Sequence, residues 1–203
     1  YVNRFFMNWL RYLILGLLVG AQGSLGLAQD VKREFETRIE LSEMPGATLE
    51  TLHPLLRKTQ KVKYYREEST AGITFEAKAK WRRERWSLEF FREGQLMDIE
   101  ELVDWEDLPP GIAAQIDSVL LSRYEKYRLN RLQVQFSSPD SSWTDRAVIQ
   151  ALVDRQTQDL RRRYELEAEV KGPEVLGEFE FLFDHTGVLL QQRRIQRRPL
   201  DHV

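Results

Sequence analysis

The chain has 203 residues, of which 42% are hydrophobic and 31% are charged, a composition that supports a folded core rather than a disordered chain. It contains no cysteine, which excludes disulfide bridges, cysteine nucleophiles, iron–sulfur clusters and cysteine-ligated zinc. The 30 basic and 32 acidic residues leave a net charge of −2, so no overall field marks a nucleic-acid binder.

The N-terminal segment has the pattern of a secretory signal peptide, which we assign to residues 1–28. A basic flank precedes the apolar stretch RYLILGLLVG, and small residues follow it. We expect cleavage after Ala28, with cleavage after Ala21 as the alternative, and translation from Met7 would give a leader of the usual proportions. Because the apolar stretch is shorter than the roughly 20 residues of a spanning helix, we expect an exported chain, periplasmic or extracellular, without a stable membrane span after cleavage.

Residues 29–107 begin with a helix and continue as strands. Leu49, Leu52 and Leu56 recur at helical spacing, and the proline at position 54 predicts a kink or a shortened helix. The period then changes to two in ITFEAKAKW and RWSLEFF, and connections this short predict consecutive antiparallel strands. The apolar row of these strands is Phe75, Ala77, Ala79, Trp81, Trp86, Leu88 and Phe90. We place its two tryptophans in the core rather than in a binding hot spot.

Residues 108–203 repeat this order. A Leu-Pro-Pro-Gly step opens a second helix, and the segments YRLNRLQVQF, YELEAEV, GEFEFLF and VLLQQRRI follow as strands. Gly94 aligns with Gly187 in the last hairpin of each half. Residues 137–160 interrupt the second half, and we expect a short helix there that covers one edge of the sheet, with a partner-contacting arm as the alternative.

The order of these motifs, found twice, resembles that of the tandem PepSY-like proteins, which are secreted or periplasmic and have the fold of the β-lactamase-inhibitor protein (BLIP-like). The motifs are a Leu-Pro or Met-Pro step before a helix, the spacing of Tyr124, Tyr127 and Leu129 at the start of a strand, E-x-E strands and a final hairpin with glycine. The resemblance implies an α+β fold of two tandem α-β4 repeats. Their strands would form one long antiparallel sheet, with helices packed on one face and the other face open. A fold likeness does not transmit β-lactamase inhibition.

Residues that carry chemistry in enzymes are scattered along the chain. His53, His185 and His202 stand apart, and the sequence contains no serine or glycine motif for acyl transfer or phosphate binding. The acidic run DIEELVDWED is interpreted as a solvated strand end rather than a cation site. We therefore predict a non-enzymatic protein with no catalytic, cofactor or metal site.

Charged side chains on the face opposite the core predict a binding module. Because the strands alternate, these side chains are not needed in the core, and we expect an unknown protein or peptide to bind the open face of the sheet. We expect no binding of nucleic acid. The candidate contacts are Lys78, Lys80, Glu89, Glu165, Glu167, Glu169 and Glu180. Cross-strand ion pairs are the simpler account of the acidic members. The alternative function is an envelope structural or lipid- or lipopolysaccharide-associated protein that uses the basic C-terminal tail QQRRIQRRPLDHV.

Overall fold

The computed structural model describes residues 31–32, 34–69 and 72–196. Its elements, in chain order, are β1 (Val31–Lys32), β2 (Glu34–Ile39), α1 (Gly46–Leu56), β3 (Val62–Ser69), β4 (Gly72–Trp81), β5 (Glu84–Phe91), β6 (Leu96–Leu102), α2 (Pro110–Arg123), β7 (Lys126–Ser137), α3 (Asp145–Val153), β8 (Arg161–Lys171), β9 (Leu176–Asp184) and β10 (Leu189–Ile195). The predicted signal peptide lies outside the described residues.

All ten strands of the described residues belong to one sheet, in the order β1-β10-β9-β8-β7-β6-β5-β4-β3-β2. Strands β2 to β10 follow one another in sequence and pair antiparallel. The short connections within β3–β6 and within β8–β10 agree with the prediction of consecutive antiparallel strands. The remaining pair departs from the all-antiparallel expectation, because β1 runs parallel to β10. The fold is therefore an α+β structure dominated by one antiparallel sheet.

The sheet closes on itself through its first strands. β1 and β2 stand at opposite ends of the strand order, yet Lys32 and Glu34 are only two positions apart in the chain. This connection is short enough only if the sheet curls until its two edges meet. The expectation of an open sheet face is therefore wrong, since that face is the concave inside of a curled sheet.

The hydrophobic core lies between the convex side of the sheet and the helices. Leu88 and Phe90 in β5, and Phe179, Phe181 and Phe183 in β9, are fully buried, as their alternation predicts. The helices contribute Leu52, Leu55, Ile116, Leu120, Ile149 and Leu152 to the same cluster. Trp86 is buried and Trp81 is half-buried against this cluster, so both tryptophans lie on the core side.

Two glycine turns touch the beginnings of the helices α1 and α2. Gly94 follows β5 with φ +94°, and a Cβ there would lie 3.0 Å from the Pro45 side chain at the start of α1. Gly187 follows β9 with φ +84°, and its Cβ would lie 2.8 Å from the Gln115 side chain in α2. Both positions need glycine for the backbone conformation and for the close approach of the helix.

Each of these helices is preceded by a short 3₁₀ turn closed by two carboxylates. In the first turn the backbone N–H of Glu40 donates a hydrogen bond to the side-chain carboxylate of Glu43. In the second turn the backbone N–H of Asp104 donates one to the side-chain carboxylate of Asp107. A proline follows two residues later in both cases, at the N-cap of the helix. The interpretation of the whole run DIEELVDWED as a solvated strand end is therefore wrong. Its last residues form this turn, and its Glu100 is buried in β6.

The helix α3 inside the 137–160 insertion packs against α1, so the expectation that it covers a sheet edge is wrong. The strands that flank the insertion, β7 and β8, pair with each other in the interior of the sheet. Val148, Ile149 and Leu152 of α3 are buried in the core, and the Asp145 carboxylate accepts a hydrogen bond from the Leu96 backbone N–H at 2.8 Å. The apolar stripe of the helix thus extends the helical layer on the convex side.

Candidate functional site in the concave side of the sheet

The side of the sheet that faces away from the helices lines a cavity of about 2020 Å³. Phe35 in β2 and Gln196 just after β10 lie eight strands apart in the strand order, and both line this space. Residues of every strand from β2 to β10 take part in the lining. We call this space the concave cavity.

Most buried polar side chains of the described chain point to the same concave side. Apart from Thr48 in α1, they are Glu76, Ser87, Glu100, Gln133, Gln135, Glu165 and Glu180. Ser87 Oγ donates a hydrogen bond to Glu76 Oε1, and Gln133 Nε2 donates one to Glu100 Oε2 at 2.6 Å. Because buried polar groups are costly without partners, the inside of the sheet is a network of polar contacts rather than a second apolar core.

Three carboxylates of β5 and β6 form an acidic cluster on this side. Oxygen atoms of Glu89, Asp98 and Glu100 lie within 4.8 Å of one another. Burial raises the pKa of Glu89 well above its usual value, and the negative charges of Glu100, Asp98, Glu67 and Glu165 raise it further. Carboxylates this close can share a proton or bind a hard cation.

A lysine of the chain itself pairs with two members of a second group of carboxylates. Glu36, Glu67 and Glu76 bring oxygen atoms together on β2, β3 and β4. Lys78 Nζ contacts Glu36 Oε2 and lies 2.9 Å from Glu76 Oε2, and it also lies 4.6 Å from the centre of the Tyr65 ring. Burial acts to lower the pKa of Lys78, but the contacts with the two glutamates outweigh it and raise the pKa. The ammonium group therefore supplies a counter-charge to two of the three carboxylates.

The seven residues predicted as partner contacts all lie on the concave side of the sheet. They are Lys78, Lys80, Glu89, Glu165, Glu167, Glu169 and Glu180. Glu165 and Glu180 are only 9% and 2% exposed, so the premise that alternation leaves these side chains free for a partner is wrong for both. The physical reason is curvature, because neighbouring strands close over side chains that a flat sheet would expose.

Two of the acidic residues are held in cross-strand ion pairs at the edge of the concave cavity. Glu169 Oε2 accepts a hydrogen bond from Arg128 Nη2 at 2.8 Å, and Glu167 Oε1 lies 3.5 Å from Arg131 Nη1. The pairing of β7 with β8 places each arginine opposite its glutamate. The β7–β8 wall of the cavity therefore carries little unbalanced charge.

Basic side chains on the opposite wall have no such partners. We call this group the cationic wall, and it comprises Arg38, Lys61, Lys63, Lys80 and Arg85. All five are exposed, and in the described part of the chain none makes an ion pair or a hydrogen bond through its side chain. Of these residues only Lys80 was predicted as a contact. Lys61 and Lys63 alternate with Val62 and Tyr64 in the sequence. This alternation indicates that the two lysines lie on the side of the strand opposite the core.

The first arginines of the basic C-terminal tail belong to the sheet. Arg193 Nε lies 3.2 Å from Glu180 Oε1, and Arg194 Nη2 donates a hydrogen bond to the backbone carbonyl of Leu176 at 3.2 Å. The tail beyond residue 196 lies outside the described residues. Among the helices of the described part, none has the length and apolar character needed to cross a membrane.

No protein-family model matches this chain, and no curated protein matches it either. The chain is similar to a solved structure of a DUF2874 family protein from Bacteroides ovatus, with 14% identity and a TM-score of 0.49, covering 74% of this chain and 87% of the other. It is also similar to a BLIP-like protein from Bacteroides fragilis, with 12% identity and a TM-score of 0.47, covering 79% and 92%. The second neighbour is described as BLIP-like, the fold-family name that the order of motifs suggests. At these sequence identities neither similarity indicates a function.

Proposed function

We propose that this chain is an exported, non-enzymatic binding module that takes a protein or peptide segment into the concave cavity. The size of the cavity carries the proposal. Pockets for small molecules measure roughly 300–1,000 Å³, whereas the concave cavity has about 2020 Å³. A space of this size fits an extended chain segment better than a metabolite.

The wall chemistry supports recognition through side chains. Each strand from β3 to β9 is paired on both sides, so these strands cannot bind a peptide by adding another strand to the sheet. Their inward side chains are amides, carboxylates, lysines and arginines, which bind peptides through hydrogen bonds and charge. Such groups give specificity for one segment over another.

We also propose that residues 29–107 and 108–203 are tandem PepSY-like copies. In both halves a proline-capped helix leads to four strands, and a glycine turn meets that helix. A carboxylate-closed turn precedes each helix, and the second of these turns, Trp105–Asp107, is the last part of the first half. Export of the chain rests on the signal-peptide pattern of residues 1–28, and N-terminal sequencing of secreted material tests it. Secreted protein that began at Tyr1 would contradict export through cleavage.

A peptide-binding screen with a blocked cavity tests the proposed function. Asn130 lines the cavity and is exposed, so Asn130→Trp would fill part of the cavity without disturbing the core. Leu121 is 51% exposed on α2, so Leu121→Trp adds the same bulk on the outer surface as a matched control. Native mass spectrometry with pools of unstructured peptides and of small metabolites measures what each protein retains.

We expect the unmodified chain and Leu121→Trp to retain a common set of peptides, and Asn130→Trp to lose them. Retention of metabolites but of no peptide would contradict the proposal. Equal retention of peptides by all three proteins would place binding outside the concave cavity and would contradict it as well.

A further inference from the structure

We propose that the segment bound in the concave cavity is acidic, and that its carboxylates pair with the cationic wall formed by Arg38, Lys61, Lys63, Lys80 and Arg85. This inference rests on the proposed function, since it names the chemistry of the partner for the same cavity. The supporting observation is that, in the described part of the chain, none of these five exposed side chains makes an ion pair or a hydrogen bond.

The cations are held against one another by the register of the sheet. Lys63 in β3 lies directly opposite Lys78 in β4, and Lys80 lies directly opposite Arg85 in β5. The backbone N–H of Lys80 also donates to the carbonyl of Lys61 at 3.2 Å, which brings a third cation into the same row. Like charges directly opposite each other destabilise a sheet, so the isolated chain carries a cost that a bound anion would remove.

The charge of the cavity differs from that of the chain as a whole. Eight basic and three acidic side chains line the cavity, whereas the chain has a net charge of −2. Glu167 and Glu169 lie beside the basic partners Arg131 and Arg128, so the opposite wall does not compensate the five cations. The residues that line the cavity therefore carry an excess of positive charge, and such an excess attracts a segment of the opposite sign.

An extended acidic segment fits the spacing of these cations. Lys61 and Lys63, like Lys78 and Lys80, are two residues apart on a strand, which separates them by roughly 6.6–6.8 Å. Alternate side chains of an extended peptide have the same separation. A partner with Glu or Asp at every second position would therefore place one carboxylate at each row of cations.

Other anions fit the cavity less well. A membrane surface is flat and contacts exposed convex or planar patches, whereas these cations line the inside of a curled sheet. Single-stranded nucleic acid binds by stacking its bases on aromatic rings as well as by charge. Tyr65 lines the same cavity, but the Lys78 ammonium already lies 4.6 Å from its ring centre.

Fluorescence anisotropy with the full chain and labelled peptides tests this inference. The peptides alternate Gly with Glu, Gln or Lys over about ten residues, the length of the longer strands. The variant Lys63→Glu/Lys80→Glu reverses two cations of the wall. Its matched control, Lys58→Glu/Arg92→Glu, makes the same charge change at two exposed positions that do not line the cavity.

We expect the Glu peptide to bind, the wall variant to bind it about tenfold more weakly, and the control variant to stay within about twofold of the unmodified chain. Added salt should weaken binding of the Glu peptide, because these charges are exposed. The wall variant should also unfold at a slightly higher temperature, since Lys63→Glu removes a like-charge pair with Lys78. Loss of binding would then not result from unfolding.

Equal binding of the Gln and Glu peptides would overturn the inference about charge and leave the proposed function standing. If no peptide in this set or in the unstructured pools bound, the proposed function would fall and the inference with it. Binding of single-stranded oligonucleotides or of phosphatidylglycerol vesicles through the cationic wall, without binding of the Glu peptide, would overturn the inference in favour of another anion.

Discussion

Replacing Glu89 by glutamine should stabilise the folded protein at neutral pH and reduce the pH dependence of its stability. Burial and the neighbouring Glu100 and Asp98 carboxylates raise the pKa of Glu89 well above its usual value. The folded chain therefore keeps a proton that the unfolded chain has released above pH of about 4.3. Stability from this group is complete below that pH and is lost as pH rises through the raised pKa.

The size of the effect follows from the binding of one proton. Over the pH range in which only the folded state keeps this proton, the free energy of unfolding falls by about 1.4 kcal/mol per pH unit. Each pH unit of that range should therefore add about 1.4 kcal/mol to the advantage of Glu89→Gln over the unmodified chain. Asp98 and Glu100 lie close enough to Glu89 for their titrations to be coupled, so this effect belongs to the acidic cluster as a unit.

Urea unfolding followed by tryptophan fluorescence, repeated from about pH 5 to about pH 8, measures this difference. Glu93→Gln, at an exposed position in the β5–β6 turn, is the matched control. Burial also raises the pKa of Glu101, to about 7. Because Glu101 is present in all three proteins, its contribution to the pH dependence of stability cancels in the comparison. If the stability of Glu89→Gln changed with pH in parallel with the other two, the raised pKa would be wrong.

Three further changes test the fold and the contacts around the cavity by urea unfolding. Phe181→Ala should lower the free energy of unfolding by about 3–5 kcal/mol because the Phe181 ring is fully buried. Leu190 is 51% exposed, so Leu190→Ala should lower it by less than about 1 kcal/mol. Equal losses in the two variants would contradict the core assignment. Lys78→Met should destabilise by about 1–3 kcal/mol because a buried carboxylate loses its cation, and an unchanged stability would contradict that pairing. Gly94→Ala and Gly187→Ala should each cost roughly 1 kcal/mol or more, and a neutral result at either would contradict the equivalence of the two turns.

The period of the hydrophobic pattern predicts the core of this protein well. Phe179, Phe181 and Phe183 alternate with polar residues, and all three are fully buried on the side that faces the helices. Gly94 and Gly187, which occupy matching positions in the two predicted copies, lie in turns with positive φ that contact α1 and α2. These features are local, because they depend on spacing along one strand or one turn.

Features that depend on distant parts of the chain could not be predicted from local pattern. Alternation assigns Glu165 and Glu180 to the face opposite the core, but it does not say that this face curls and buries them. The curl depends on the pairing of Val31 and Lys32 with a strand more than 160 residues away in the chain. The position of α3 against α1 is likewise a tertiary contact that the length of the insertion does not determine.

The cationic wall likewise depends on distant parts of the chain. Lys61 and Lys63 alternate with Val62 and Tyr64, so the sequence indicates that the two lysines share a side of the strand but not which residues lie opposite them. Their importance emerges only from the register that places Lys63 opposite Lys78, and from the curvature that puts both inside a cavity. The charge alone is unremarkable in a chain with 30 basic residues.

Closure of the sheet around the concave cavity underlies both the proposed function and the acidic partner, and a single distance tests it. Because the chain has no cysteine, Phe35→Cys/Gln196→Cys carries two spin labels at defined positions. In a flat sheet, β2 and β10 are eight strands apart, a separation of about 38 Å. A closed sheet predicts a dipolar distance between the labels below about 20 Å, since both residues line one cavity. A distance near about 38 Å would show an open sheet and contradict the concave cavity.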